Sequence, residues 1–149
     1  MMSDYDDAVA LWESTPGMGL NFSDADSRAG IRSYLRRNPR MSFVARDGNA
    51  MIGSVLCGHD GRRGYLHYLA VIPAYRRKGI GNALVEHCLK ALDSRGIKRC
   101  NIFVFGDNAS GLRFWKAVGW KKYDGLSLMY RPTDAAGEST SPARSRKRR

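Results

Sequence analysis

Apolar residues near the start of the chain recur at the three- and four-residue spacing of amphipathic helices. The first such stretch covers residues 6–12 and the second runs from a cap at Ser23 or Asp24 to Arg37. The pair Asn38-Pro39 ends the second helix, because a residue before proline disfavours helical backbone angles. Two short helices are therefore predicted ahead of any strand.

The rest of the chain alternates between extended and helical patterns. Pro73 ends one extended run because it cannot donate to a strand ladder, and Gly96 fits the left-handed cap after a helix. Strands are predicted at residues 41–46, 50–57, 65–71 and 100–105, helices at residues 79–94 and 109–118, and a closing hairpin at residues 120–123 and 126–130. This order predicts an α/β fold of the mixed α+β kind, with helices on the faces of a mixed sheet.

Length and composition fit one globular domain. The chain has 149 residues, of which 43% are hydrophobic, enough for a single core. We expect a domain at residues 1–131 and a disordered basic tail at residues 132–149, where apolar residues give way to Ser, Ala, Pro and Arg. The sequence shows no signal peptide and no apolar run of bilayer length, so a cytoplasmic location without a membrane partner is expected.

Positive charge is concentrated in the middle of the chain. The net charge is +11, but residues 1–30 carry one arginine against six acidic residues, whereas residues 31–131 carry 19 basic and six acidic residues. Such a distribution attracts a phosphorylated cofactor or a nucleic acid. One interpretation of the charge is weak, sequence-independent binding of a polyanion through the basic tail. The sequence also leaves open whether the protein forms a homodimer.

The cysteines indicate neither a disulfide framework nor a metal site. Cys57, Cys88 and Cys100 are odd in number, and no histidine stands at metal-ligand spacing from them. We therefore expect three buried or half-buried thiols and no metal.

The most informative stretch joins a strand to a helix through a basic, glycine-bearing turn at residues 69–83. The first turn of a helix carries unpaired N–H groups and about half a positive charge, so it suits an anion. Gly79 and Gly81 leave those N–H groups uncovered, and Arg76-Arg77-Lys78 adds charge at the same place. The stretch lacks the complete patterns of a Walker A loop and of a dinucleotide fingerprint. It predicts a phosphate site of another kind.

Two motifs in this sequence resemble those of the GNAT superfamily of N-acetyltransferases. Residues 76–81, Arg-Arg-Lys-Gly-Ile-Gly, match its [RQ]-x-x-G-x-[GA] signature, and the stretch from Asn108 through Trp115 to Trp120 resembles its second motif. The resemblance covers residues 5–131 and is strongest to the RimI-like and YpeA-like bacterial branches. It implies a largely antiparallel sheet splayed between two parallel strands. The first strand of the family pattern is missing here; whether a partner supplies it or the start is misassigned is left open.

The resemblance also implies a site for acetyl-CoA. Backbone groups of Leu69 and Val71 would pair with the pantetheine arm, and the N–H groups of residues 77–82 would hold the diphosphate. The complete set of cofactor-binding residues expected on this basis is Leu69, Ala70, Val71, Arg76, Arg77, Lys78, Gly79, Ile80, Gly81, Asn82 and Asn108.

Acetyl transfer to an amine also needs proton transfer. A lysine amine with a pKa near 10.4 is almost entirely protonated at neutral pH, so it demands a general base. No glutamate stands on the two central strands, and His67 is the candidate base because it alternates with Leu69 and titrates near neutrality. Trp115 occupies the position where the family often has a tyrosine acid. Either Tyr123, Tyr130 or water takes that role, or the thiolate leaves unassisted, or catalysis is weak.

The leading hypothesis is thus an N-acetyltransferase that moves an acetyl group from acetyl-CoA to a primary amine of a protein or a small molecule by direct attack. The substitution at Trp115 also permits a non-catalytic acyl-CoA-binding or sensor module. A nucleic-acid-binding protein is a third reading, suggested by the charge alone, since no recognition motif accompanies it.

Overall fold

The computed structural model describes residues 2–134. Single turns of 3-10 helix lie at Met2–Asp4 and Pro73–Tyr75. The helices are α1 (Tyr5–Glu13), α2 (Arg28–Arg37), α3 (Ile80–Asp93) and α4 (Ala109–Ala117). The strands are β1 (Phe43–Asp47), β2 (Ala50–His59), β3 (Gly64–Val71) and β4 (Cys100–Asn101).

The four strands form one mixed sheet in the order β1-β2-β3-β4. β1, β2 and β3 pair antiparallel, whereas β4 pairs parallel to β3 through Gly64 with Cys100 and Tyr65 with Asn101. The predicted α/β class and the largely antiparallel, mixed sheet are confirmed. Within residues 2–134 no strand precedes α1, so β1 is the outer edge.

Apolar side chains cover both faces of the sheet. In β2, alternation sends Val55 and Cys57 towards α3 and Leu56 towards α1 and α2. The α3 face is sealed by the helix's own stripe of Leu84, Val85, Cys88 and Leu92, and the other face by Ala8, Leu11, Trp12 and Ile31. β2 is therefore buried over seven successive residues, 52–58, because helices cover it on two sides.

A bulge in β3 changes which residues share a face. Ser54 pairs with Ala70 but Leu56 pairs with His67, so β3 contains one extra residue, and Tyr68 adopts a φ of 53°. Leu69 consequently packs in the α3 cluster, whereas the His67 ring lies beside Tyr34 of α2. The expectation that His67 simply alternates with Leu69 is wrong, because the bulge puts them on opposite faces.

The second helix begins later than its predicted caps. Its N-cap is Ser27, whose hydroxyl accepts from the N–H of Gly30 at 3.0 Å, instead of Ser23 or Asp24. The preceding residues fold back onto this first turn: a β-carbon at Gly30 would lie 2.5 Å from the carbonyl oxygen of Asp24. Residues that local propensity assigns to the start of the helix therefore form the turn before Ser27 instead.

Strand structure after α3 is shorter than predicted. Only Cys100–Asn101 of the predicted strand at residues 100–105 is paired, because β3 and the following chain diverge. The predicted hairpin at residues 120–130 does not form: Leu128 is 74% exposed and Met129 87% exposed, so the alternating pattern has no face to bury. Of the predicted tail, residues 135–149 lie outside the described part of the chain.

The three cysteines are free thiols that lie buried or half-buried in the structure. Cys57 and Cys88 are buried free thiols, and burial raises the pKa of half-buried Cys100 to about 12. Among residues 2–134, no cluster of metal-ligating side chains occurs, and no helix has the length and apolar character needed to cross a bilayer.

Candidate active site

The parting of β3 and β4 opens a cleft along the outer edge of β3. The parallel ladder stops at Tyr65 and Asn101, although β3 continues to Val71. The N–H of Ile72 donates to Ile52 of β2 at 2.9 Å, so strand alternation turns the backbone groups of Val71 and Leu69 away from β2 and into the cleft. Ala70 pairs with Ser54 of β2 instead and is 3% exposed. The cleft edge therefore offers peptide groups at Leu69 and Val71.

A run of free N–H donors lies directly beyond this edge. The turn after β3 closes with bonds from Tyr75 to Ile72 and from Arg76 to Pro73, and the first bond of α3 runs from Ala83 to Gly79 at 3.0 Å. Between these bonds, the N–H groups of residues 77–82 have no hydrogen-bond partner within the described chain. These six donors lie at the start of a 14-residue helix, where the helix dipole adds positive potential.

The two glycines of this turn differ in conformation and surroundings. Gly79 is the N-cap residue, has a φ of 80° and has no atom within 4 Å of where a β-carbon would stand, so its role is conformational. A β-carbon at Gly81 would lie 3.4 Å from the Phe114 ring and 3.7 Å from Val71. These are ordinary contact distances, so a β-carbon would fit here, and they show that α4 packs beside the start of α3.

The three cations of the turn also differ. The Nε of Arg76 donates to the carbonyl oxygen of Val71 at 2.9 Å, which ties the turn to β3 and takes up the outward carbonyl there. Lys78 lies over the ring of Tyr75, whose hydroxyl donates to Asp47, and this bond raises the pKa of Tyr75. Arg77 is exposed and adopts a φ of 62°. Arg77 and Lys78 remain available to an anion, whereas Arg76 is engaged in holding the turn.

The second motif residue Asn108 is a helix cap. Its Oδ1 accepts from the N–H of Gly111 at 3.0 Å and caps the first turn of α4. α4 in turn brings Phe114 against Gly81 at the mouth of the cleft.

Comparison with known proteins decides the family. The model of the acetyltransferase (GNAT) family matches residues 7–120, a stretch that contains both motifs and the cleft. The chain belongs to the GNAT family. An acetyltransferase of Sodalis glossinidius is 32% identical over 126 residues, which cover 85% of this chain and 87% of that protein. The predicted enzyme class, an N-acyltransferase, is therefore confirmed.

Solved structures show the same GNAT fold. The PaiA N-acetyltransferase of Thermoplasma acidophilum, solved in complex with coenzyme A, superposes with a TM-score of 0.72 at 19% identity, over 83% of this chain and 87% of that one. An aminoglycoside 6'-N-acetyltransferase of Acinetobacter haemolyticus gives 0.67 at 15% identity, over 89% and 94% of the two chains. At these identities the likeness establishes the fold alone. The RimI-like or YpeA-like branch stays a prediction.

In this GNAT chain Trp115 is a packing residue. Its ring makes edge contacts with Phe114 at 5.1 Å and Trp120 at 5.0 Å between centroids, and it packs against the α3 cluster. Tyr123 lies at the other end of the sheet, where its hydroxyl accepts from Arg99 at 3.4 Å. Neither the tryptophan nor Tyr123 supplies an acid beside Val71, and the side chain of Tyr130 is 64% exposed.

His67 lies in an aromatic and acidic environment that the sequence did not reveal. Burial lowers the pKa of His67, against a raising effect of Asp26, and so favours the neutral ring. Asp26 is 3% exposed and accepts from the hydroxyl of Tyr68 at 2.8 Å and from the N–H of Asn21 at 2.5 Å. The hydroxyl of Tyr34, across from His67, is buried without a partner among the described residues, and burial raises its pKa.

No short-range pattern would have found this group. Asp26 stands in a Ser/Asp-rich stretch that reads as a helix cap, and Tyr68 stands in a strand. Their partnership spans 42 residues of chain, and the bulge is what turns Tyr68 towards Asp26.

Proposed function

We propose that this GNAT protein moves an acetyl group from acetyl-CoA to the primary amine of a small molecule or a protein. The observation that carries the proposal is the row of six unpartnered N–H groups at the start of α3, next to the outward backbone of Val71 and Leu69. Acetyl-CoA presents amides in its pantetheine arm and then a diphosphate. The donors at the cleft edge and at the helix start occur in the same order along β3 and α3.

The residues present fit acetyl-CoA as the acyl donor. The N–H groups of residues 77–82 and the side chains of Arg77 and Lys78 would hold the diphosphate. The outward N–H groups of Leu69 and Val71 would hold the amides of the arm. No residue of this run carries a carboxylate, so the run itself adds no repulsion to the ligand's negative charge. The solved relative with coenzyme A supports this reading by fold alone.

The chemical step is direct attack of the amine nitrogen on the thioester carbonyl carbon. The N–C bond forms, the C–S bond breaks, the nitrogen loses one proton and the sulfur leaves as a thiolate that takes up a proton. His67 is the proposed base, since burial lowers its pKa and favours the neutral ring, which can accept a proton. Because Trp115 is a packing residue and Tyr123 lies at the other end of the sheet, we propose that water donates the proton that the thiolate takes up. Orientation of the two reactants then supplies several kcal/mol of the barrier reduction.

Binding and turnover test the proposal separately. Acetyl-CoA should stabilise the protein in a thermal-shift assay, whereas S-acetyl-pantetheine, which lacks the diphosphate, should do so only at far higher concentration. Equal potency of the two ligands would mean that the diphosphate does not contribute to binding. Release of free thiol in the presence of a panel of diamines, aminoglycosides and N-terminal peptides then identifies the acceptor. Binding without any thiol release would support the sensor reading instead.

The role of His67 has its own test. His67→Asn should lower kcat for a lysine-like amine by about 100-fold or more and leave the Kd for acetyl-CoA unchanged. With an acceptor that carries an α-amino group, whose pKa is near 8, the substitution should lower kcat less. Equal rates in the variant and the parent would exclude His67 as the base.

A further inference from the structure

Four chain segments rich in arginine meet at the end of the sheet opposite the α3 loop. The buried side chain of Asn38 accepts from the N–H of His59, which places the end of α2 against the end of β2. The N–H of Gly64 donates to the carbonyl oxygen of Arg99, which joins the turn at residues 60–63 to the start of β4. Arg95 donates to the carbonyl oxygen of Pro39 at 2.6 Å and adds the end of α3. We name this surface the basic end: Arg37, Arg40, Arg62, Arg63, Arg95, Lys98 and Arg99.

Little negative charge opposes the basic end. Its acidic residues are Asp60 and Asp93, and both are engaged: Asp60 accepts from the N–H groups of Arg62 and Arg63 at 2.8 Å, and Asp93 accepts from Lys98 at 2.8 Å. These bonds hold the pKa of both carboxyls below the usual range. Within residues 2–134 no carboxylate lies at ion-pair distance from Arg37, Arg40 or Arg62. The guanidinium groups of these three exposed residues are therefore available to another molecule.

The basic end is separate from the proposed acetyl-CoA site. β3 runs from Gly64 at the basic end to Val71 at the cleft, eight residues that span roughly 25 Å in an extended strand. That distance exceeds the screening length of about 8 Å at physiological ionic strength. A ligand at one end and a ligand at the other therefore bind with little electrostatic influence on each other.

We propose that the basic end binds the phosphate backbone of a nucleic acid independently of base sequence. Six of its seven cations are arginines, whose planar, forked donors match phosphate oxygens in pairs. Tyr123, which is 62% exposed and bonded to Arg99, offers a ring on which a base can stack. An anionic membrane surface fits less well, because Ile97 is buried and these segments expose no aliphatic side chain that could insert among acyl chains.

One arginine of the basic end can be replaced so that its charge is lost while the backbone conformation is kept. Arg40 adopts a φ of 60°, a left-handed conformation that glycine tolerates better than arginine. Arg40→Gly therefore removes a cation without a steric or conformational penalty. Arg62→Gln removes a second exposed cation whose side chain makes no bond within the described chain. The double variant should retain the fold and its Kd for acetyl-CoA.

The test measures binding of the full chain to a fluorescent 20-nucleotide RNA by anisotropy between 50 and 300 mM salt. If each arginine contacts one phosphate, Arg40→Gly with Arg62→Gln reduces the slope of log K against log salt by about 1.4 and weakens binding about 20-fold near 0.1 M salt. The control, Arg113→Gln with Lys116→Gln, removes the same charge from exposed positions of α4 at the far end and should change affinity by less than about threefold.

Other outcomes overturn the proposal. Equal losses in the two double variants would mean that net charge or the basic tail, and not this surface, carries the binding. Absence of binding at 50 mM salt would mean that no nucleic-acid surface exists. Tighter binding to phosphatidylglycerol vesicles than to RNA, lost in the Arg40 and Arg62 variant, would assign the surface to a membrane. Acetyl-CoA affinity, measured in parallel, shows whether the proposed enzymatic function stands or fails separately.

Discussion

Asn82→Glu is expected to strengthen the fold and weaken acetyl-CoA binding in the same molecule. Asn82 is an exposed residue in the first turn of α3, and its N–H is the last of the six free donors. A carboxylate in the first turn of a helix interacts favourably with the helix dipole, which contributes about 0.3–1 kcal/mol. The same carboxylate stands beside the site proposed for two phosphate charges.

The size of the binding loss follows from Coulomb's law. A glutamate at position 82 reaches to within ~6 Å of a ligand held on the neighbouring N–H groups, and an exposed site has an effective dielectric constant of about 60. Each phosphate charge then contributes about 0.9 kcal/mol of repulsion, and two contribute about 2 kcal/mol. The Kd for acetyl-CoA should rise about 30-fold. At 0.5 M salt, where screening is stronger, the loss should shrink to a few-fold.

Asn82→Gln is the matched control because it lengthens the side chain without adding charge. Titration calorimetry gives the Kd, and urea unfolding without ligand gives the stability. The expected pattern is a higher free energy of unfolding and a higher Kd for Asn82→Glu, with neither change for Asn82→Gln. An unchanged Kd for Asn82→Glu would refute the placement of the diphosphate, and equal losses in both variants would indicate a steric effect instead of repulsion.

Three further variants test other features. Gly79→Ala should lower the free energy of unfolding by about 1–2 kcal/mol in urea titration, because alanine is strained at a φ of 80°; an unchanged midpoint would mean that the turn relaxes. For His67→Asn, stability should fall less between pH 7.5 and 5.0 than in the parent: burial lowers the folded-state pKa of His67 below its unfolded value of 6.5, so its contribution is present above pH 6.5 and is lost as pH falls. Parallel pH profiles would contradict this. Tyr68→Phe should cost about 1.5–3 kcal/mol, since it removes a bond to the buried side chain of Asp26. Tyr5→Phe removes a bond to the main-chain oxygen of Asp26 and should cost about 1 kcal/mol; equal losses would mean that leaving the buried side-chain oxygen without this bond costs no more than leaving the main-chain oxygen without one.

The strand-to-helix turn was predictable because its determinants are local. Pro73 ends the strand, Gly79 provides the left-handed N-cap and the apolar stripe begins α3, so the position of the free donors at residues 77–82 follows from short-range rules. The α4 cap at Asn108 is local in the same sense. The expectation of free donors is confirmed, and their ligand stays a proposal.

The features that sequence reasoning missed depend on distant partners. The bulge at Tyr68 has no local signal, because tyrosine disfavours a positive φ and the compensating bond to Asp26 comes from 42 residues earlier. The prediction that His67 shares a face with Leu69 is therefore wrong. The predicted hairpin at residues 120–130 had the right alternation, but a strand also needs an edge on which to pair, and β4 offers two paired residues.

The three non-glycine residues with positive φ in the described chain, Arg40, Tyr68 and Arg77, lie in the three features argued to matter most. Each left-handed backbone costs of order 1 kcal/mol, and glycine would remove that cost. At Tyr68 the hydroxyl bond to Asp26 compensates within the fold. At Arg40 and Arg77 no side-chain bond within residues 2–134 does so, and both guanidinium groups are exposed. Arg40 at the basic end and Arg77 at the α3 donors therefore each carry an exposed cation on a strained backbone, at a surface for which we propose an anionic ligand.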